Sequence, residues 1–131
     1  MSEDARTATF ANTIRDIRDD AFSWADALLS VEMNEGLETL DAPEESPRGI
    51  FSGTEIRSVA IPSTLRVIGE NTFCGCEKLE RVRVPERSAL EEIGCSCFSK
   101  SAVREIVVPR NVTRMGRGAF RGCGSLRRVT F

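Results

Sequence analysis

The chain has 131 residues, of which 40% are hydrophobic and 29% charged, so it can bury one core and remain well solvated. It contains no His and no Tyr, which removes the commonest general base and the commonest metal-ligating side chain. The formal net charge of -2 hides a gradient. Residues 1–50 carry 12 acidic and 4 basic side chains, residues 51–100 carry 7 of each, and residues 101–131 carry 1 acidic and 7 basic.

The opening Met1-Ser2-Glu3-Asp4-Ala5-Arg6 has no apolar h-region, and no stretch of the chain reaches the ~18 apolar residues of a membrane span. With an odd number of cysteines, five, the expected location is the reducing cytoplasm.

From residue 7 to residue 50 the chain reads as degenerate copies of a unit that becomes clear later. Ile14, Ile17, Ala21, Phe22 and Leu28 have the spacing of Val112, Met115, Ala119, Phe120 and Leu126. Val31, Met33, Leu37 and Leu40 continue the register. The alternative is an amphipathic helix, roughly Asn12 to Val31, capping the array, since Ile14, Ile17, Ala21 and Trp24 also fall at helical spacing. Residues 41–49 hold Pro43, Pro47, Gly49 and several acids, and read as a surface loop.

From 51 to 131 the repeat is plain, with a period of about 23 residues. Ile61-Pro62 leads to Leu65, Ile68, Gly69, Phe73, Gly75-Cys76 and Leu79. Val108-Pro109 leads to Val112, Met115, Gly116, Phe120, Gly122-Cys123 and Leu126 at identical offsets. Between them Val84-Pro85 leads to Leu90, Ile93, Gly94, Phe98 and Val103, with two extra residues after the Pro and one fewer after the Phe.

Within each unit, Leu79, Val82 and Val84 alternate with Arg81 and Arg83. Period two with β-branched residues predicts a short strand with one buried face. The Pro that follows ends the strand, since it cannot donate to a ladder. The two apolar residues and Gly that come next suit a turn of helix, a 3₁₀ turn or irregular structure on the opposite side. Gly69, Gly94 and Gly116 are expected to take a positive φ at a bend. Strands recurring every ~23 residues with a long return must pair in parallel.

The pattern Leu-x-x-Val-x-Ile-Pro-x-x-Val-x-x-Ile-Gly-x-x-Ala-Phe-x-Gly-Cys-x-x-Leu resembles the BspA-like class of leucine-rich repeats. The match is strong over 51–131 and weaker before it, where Ala11 and Asn34 stand for Pro and Trp24-Ala25 for Gly-Cys. The resemblance implies one α/β repeat solenoid over 1–131, coiled right-handedly, with about six short parallel strands on the concave face. It also implies protein binding or adhesion rather than catalysis.

The residues themselves offer little chemistry. Cys74-Gly-Cys76 and Cys95-Ser-Cys97 lack zinc-ligand spacing. The register places Cys76, Cys97 and Cys123 in core columns and Cys74 and Cys95 at surface positions, where they are either plain thiols or a reactive pair. No catalytic, metal or cofactor set emerges. Arg110, Arg114, Arg117 and Arg121 form a basic stripe without a stacking aromatic, which argues against nucleic acid.

The candidate binding residues are the outward ones of the predicted strands: Ser58, Ala60, Arg81, Arg83, Glu105, Val107, Arg128 and Thr130. The expected function is a non-enzymatic protein-interaction module with a protein partner on this sheet or its edges. The alternative is a self-associating, adhesin-like segment of a longer array that forms homo-oligomers head to tail. That alternative uses the charge gradient and an open last layer at Leu126, Val129 and Phe131.

Overall fold

The computed structural model describes residues 7–9, 16–17, 30–33, 35–41 and 49–131. Each turn of the coil contributes one three-residue and one two-residue strand. The three-residue strands are β1 (Thr7–Thr9), β3 (Ser30–Glu32), β5 (Ser58–Ala60), β7 (Arg81–Arg83), β9 (Glu105–Val107) and β11 (Arg128–Thr130). They pair in parallel in the order β1-β3-β5-β7-β9-β11. The two-residue strands are β2 (Asp16–Ile17), β4 (Thr39–Leu40), β6 (Val67–Ile68), β8 (Glu92–Ile93) and β10 (Arg114–Met115). They form a second parallel sheet in the order β10-β8-β6-β4-β2.

The return path is therefore turns and a second ladder; no helical residue occurs among the described residues. Asp16–Ile17 and Ser30–Glu32, inside the span of the alternative capping helix, are strands. Phe10, Ile14, Phe22, Trp24, Leu28 and residues 42–48 of the predicted loop lie outside the described residues.

The core lies between the two sheets and is built in columns. Val31, Val59 and Val82 stand in register across β3, β5 and β7, and Ile106 with Val129 across β9 and β11. Leu40, Ile68, Ile93 and Met115 do so across the five-stranded one. The rings of Phe51, Phe73, Phe98 and Phe120 stack with centroids 5.4, 5.4 and 5.5 Å apart and planes within 6°. The segments carrying these rings are also hydrogen-bonded from turn to turn. Phe51, Phe73 and Phe98 N–H donate to the Thr72, Cys97 and Ala119 carbonyls at 2.9, 2.8 and 2.8 Å. These bonds satisfy buried backbone groups that neither sheet reaches.

The glycines work differently from the expectation. Gly69, Gly94 and Gly116 are absent from the positive-φ residues. They are needed because adjacent turns touch there: a Cβ on Gly94 would sit 2.5 Å from Glu70 N and 2.6 Å from Gly69 C. The left-handed positions come two residues later, at Asn71, Ser96 and Gly118, and two residues after each Phe, at Gly53, Gly75, Lys100 and Gly122. The Gly of Gly-Cys is thus the conformational one, and Lys100 occupies that site at φ 59° with a side chain.

Removing a ring from the middle of the Phe column leaves a void between two others. Phe73→Ala should lower unfolding stability by about 3–5 kcal/mol. Phe120→Ala should cost clearly less, since that ring is only partly buried. Urea unfolding of both variants checks this, and equal losses would contradict a column anchored at its centre.

Candidate functional site

Alternation on the three-residue strands turns Val59, Val82 and Ile106 into the core and their neighbours outward. Parallel register then aligns the outward residues in two rows. One row runs Ser30, Ser58, Arg81, Glu105, Arg128. The other holds Glu32, Ala60 and Arg83, and beyond them Val107 beside Thr130. All eight residues expected on this face are there. Ser58 and Ala60 are half-buried, while Arg81, Arg83, Glu105, Val107, Arg128 and Thr130 are exposed.

The face is not uniform. Short side chains on β5 next to long ones on β7 leave a depression of about 240 Å³, walled by Arg81 and Arg83 on one side and Ser30 and Glu32 on the other. Between β7 and β9 lies a second depression of about 360 Å³, bordered by Arg81, Arg83 and Glu105 and by Glu80 and Arg104. Glu80 and Arg104 were not among the expected residues. They approach to 3.8 Å as an exposed ion pair across the seam. Each directly precedes a member of the register pair Arg81–Glu105, so the repeat register was the signal for them.

The guanidinium groups of Arg81 and Arg83 are in neither a hydrogen bond nor an ion pair among the described residues. Some exposed cations elsewhere are paired from turn to turn, Lys78 with Glu55 at 2.8 Å and Arg66 with Glu91 at 3.1 Å. In the Arg110, Arg114, Arg117 and Arg121 stripe, all four are exposed and Arg114 approaches Glu92 at 3.7 Å.

The cysteines belong mainly to the core. Cys76 Sγ donates to the Phe51 carbonyl and Cys123 Sγ to the Phe98 carbonyl, both at 3.0 Å and both across one turn of the coil. The same column holds Thr54 and Ser101, whose hydroxyls lie 3.6 and 3.4 Å from Cys76 and Cys123. Burial pushes the Cys76 thiol up to about 11 and the Cys97 thiol well above its ordinary value. Neither is a nucleophile at neutral pH. Cys74 is half-buried and Cys95 exposed. Among the described residues, no three of His, Cys, Asp and Glu converge as metal ligands.

A family profile described as the BspA type leucine rich repeat region matches in six copies over residues 2–127. The chain belongs to the BspA-type leucine-rich repeat family. Solved leucine-rich repeat structures share its fold. A Bacteroides ovatus leucine-rich repeat protein is 22% identical with a TM-score of 0.79, covering 100% of this chain and 35% of that one. The T. pallidum leucine-rich repeat protein is 23% identical with a TM-score of 0.82, covering 96% and 58%. The pneumococcal vaccine antigen PcpA is 18% identical with a TM-score of 0.67, covering 97% and 40%. The BspA-type chain thus spans between about a third and three fifths of the length of these proteins. The comparison with curated proteins gave no match.

The buried thiols give this leucine-rich repeat an alkaline limit. A thiol whose folded value is raised contributes stability that is complete below its unfolded value, 9.0, and lost as pH rises through about 11. Urea unfolding from pH 8 to 11 should show a decline of order 2 kcal/mol from Cys76. Cys76→Ala should flatten its share of that slope; a parallel slope in the variant would remove Cys76 from the account.

Proposed function

We propose that this BspA-type repeat is a non-catalytic protein-binding module whose partner presents an acidic surface to the six-stranded face at Arg81 and Arg83. The observation that carries the reading is the pair itself: two exposed guanidinium groups on one strand, in no ion pair among the described residues, beside the depression over Ser58 and Ala60. Arginine is enriched where protein surfaces meet, because its planar fork makes paired hydrogen bonds to carboxylates. Glu105, between Arg81 and Arg128 in the outward row, sets the charge order along the sheet, and Val107 and Thr130 extend the surface. The chain would be used as bait for partner proteins, comparing wild type with Arg81→Glu/Arg83→Glu. Captured partner should fall at least tenfold in the variant. Unchanged capture would move the binding face off the centre of the sheet.

A second reading has its own observation. Met115 is 41% exposed and Phe131 82% exposed, both in the strongly basic 101–131 part of a chain whose first 50 residues are acidic. Head-to-tail association of copies would cover these side chains and pair the opposite charges. Light scattering should then show mass rising with concentration at low salt and falling as salt is added. A constant monomer mass at high concentration and low salt would end this reading.

A further inference from the structure

The two extra residues after Pro85 have a structural consequence at the far end of the sheet. At β3, β5 and β9 the chain leaves its strand through a cross-strand bond: Met33 N–H to Ala60 C=O at 3.4 Å, Ile61 N–H to Arg83 C=O at 3.0 Å, and Val108 N–H to Thr130 C=O at 2.7 Å. The corresponding bond between Val84 N–H and Val107 C=O is missing, and the β7–β9 ladder keeps one register pair, Arg81 with Glu105. Where the ladder opens there is a groove of about 810 Å³. Val84, Pro85, Val107 and Phe131 supply apolar surface, and Glu86, Arg87 and Arg110 are its charged lining residues.

The groove is held open by its own bonds. Ala89 N–H donates to the Ser63 carbonyl at 2.8 Å, and Asn111 Nδ2 donates to the Ser88 carbonyl at 3.0 Å. Ser63 is fixed from its other side, since its hydroxyl donates to the Glu35 carboxylate at 2.6 Å. The inserted segment is thus tied to the turn before it and the turn after it.

We propose that this groove is a second binding site, and that its occupant is an extended peptide segment carrying an aliphatic side chain next to an acidic one. Three features select that chemistry. Val84 N–H and Val107 C=O line the groove without a hydrogen-bond partner among the described residues, and an extended backbone offers the acceptor and donor they lack. Val107, 56% exposed, and Phe131 offer apolar contact for one aliphatic side chain. Arg87 and Arg110 are exposed, in no ion pair among the described residues, and outnumber the one acid of the lining, Glu86, which favours a carboxylate. The site does not depend on Arg81 and Arg83, which lie on the sheet face.

The test titrates the isotope-labelled full chain, followed by amide resonances, with two pools of capped synthetic hexapeptides. In one pool a Glu or Asp adjoins a Leu, Ile or Val in a Gly/Ser background; in the other the acid is replaced by Lys. The acidic pool should give saturable shifts at residues 84–89 and 107–111, including the Val84 amide, and the Lys pool should not. Arg87→Glu/Arg110→Glu should weaken binding at least tenfold, and since both side chains are exposed its remaining spectrum should stay folded. Arg81→Glu/Arg83→Glu should stay within twofold of wild type in this titration, whatever becomes of its capture of partner proteins. No saturable shift at the groove, an equal response to the Lys pool, or undiminished binding by Arg87→Glu/Arg110→Glu would overturn the proposal. Groove resonances that shift with protein concentration alone would assign the groove to a second copy and overturn it as well.

Discussion

Stacking of one turn on the next at the spacing of paired β-strands is the constraint on which the rest of this molecule depends. Phe51, Phe73, Phe98 and Phe120 repeat at about 5.4 Å because the backbone on both sides of them is hydrogen-bonded from turn to turn. At that spacing nothing larger than hydrogen fits at Gly94, where a Cβ would run into the Glu70 amide. The same spacing puts the Cys76 thiol within reach of the previous turn's Phe51 carbonyl, so a core filler also ties two turns together. Each turn lacks a core of its own and acquires one from its neighbours.

A ladder with so regular a spacing has little tolerance for turns of unequal length. Four or five residues in a row must keep step with those above and below. Between β7 and β9 they do not: the interval from Pro85 to Leu90 is longer than its counterparts, and the two strands keep a single register pair. The insertion leaves the core intact, since Leu90, Ile93 and Phe98 are all buried. Its effect appears at the rim of the sheet, as an open donor and acceptor at Val84 and Val107. A local irregularity in the repeat thereby makes two otherwise equivalent turns chemically different.

Charge follows a similar logic. Most exposed cations with a described partner meet an acid one turn away, as Lys78 meets Glu55 and Arg66 meets Glu91. Such exposed pairs add little stability, on the order of 0–1 kcal/mol each. Arg81 and Arg83, like Glu32, Glu105 and Arg128, are charges on the sheet face outside any ion pair among the described residues. Ion pairing along the coil thus takes up some exposed cations and leaves others, Arg81 and Arg83 among them, where another molecule can supply the counter-charge.

The repeat, the parallel pairing, the inward valines and the buried Phe positions were legible in the sequence by itself, because spacing along the chain dictates which side chains stack. So was the outward row from Ser58 to Thr130, since alternation on a strand leaves no choice of face. The sequence misled at Gly69, Gly94 and Gly116. A glycine needed for close contact and one needed for a positive φ look alike until the neighbouring turn is in place. The two-residue strands at Thr39–Leu40 or Glu92–Ile93 were equally hidden, because segments so short have no periodicity to read. The extra residues after Pro85 were visible as a count, but only the tertiary structure decided what they do. Whether an insertion bulges harmlessly or parts two strands depends on hydrogen bonds between residues more than twenty positions apart, and that geometry is set by the stacked array as a whole.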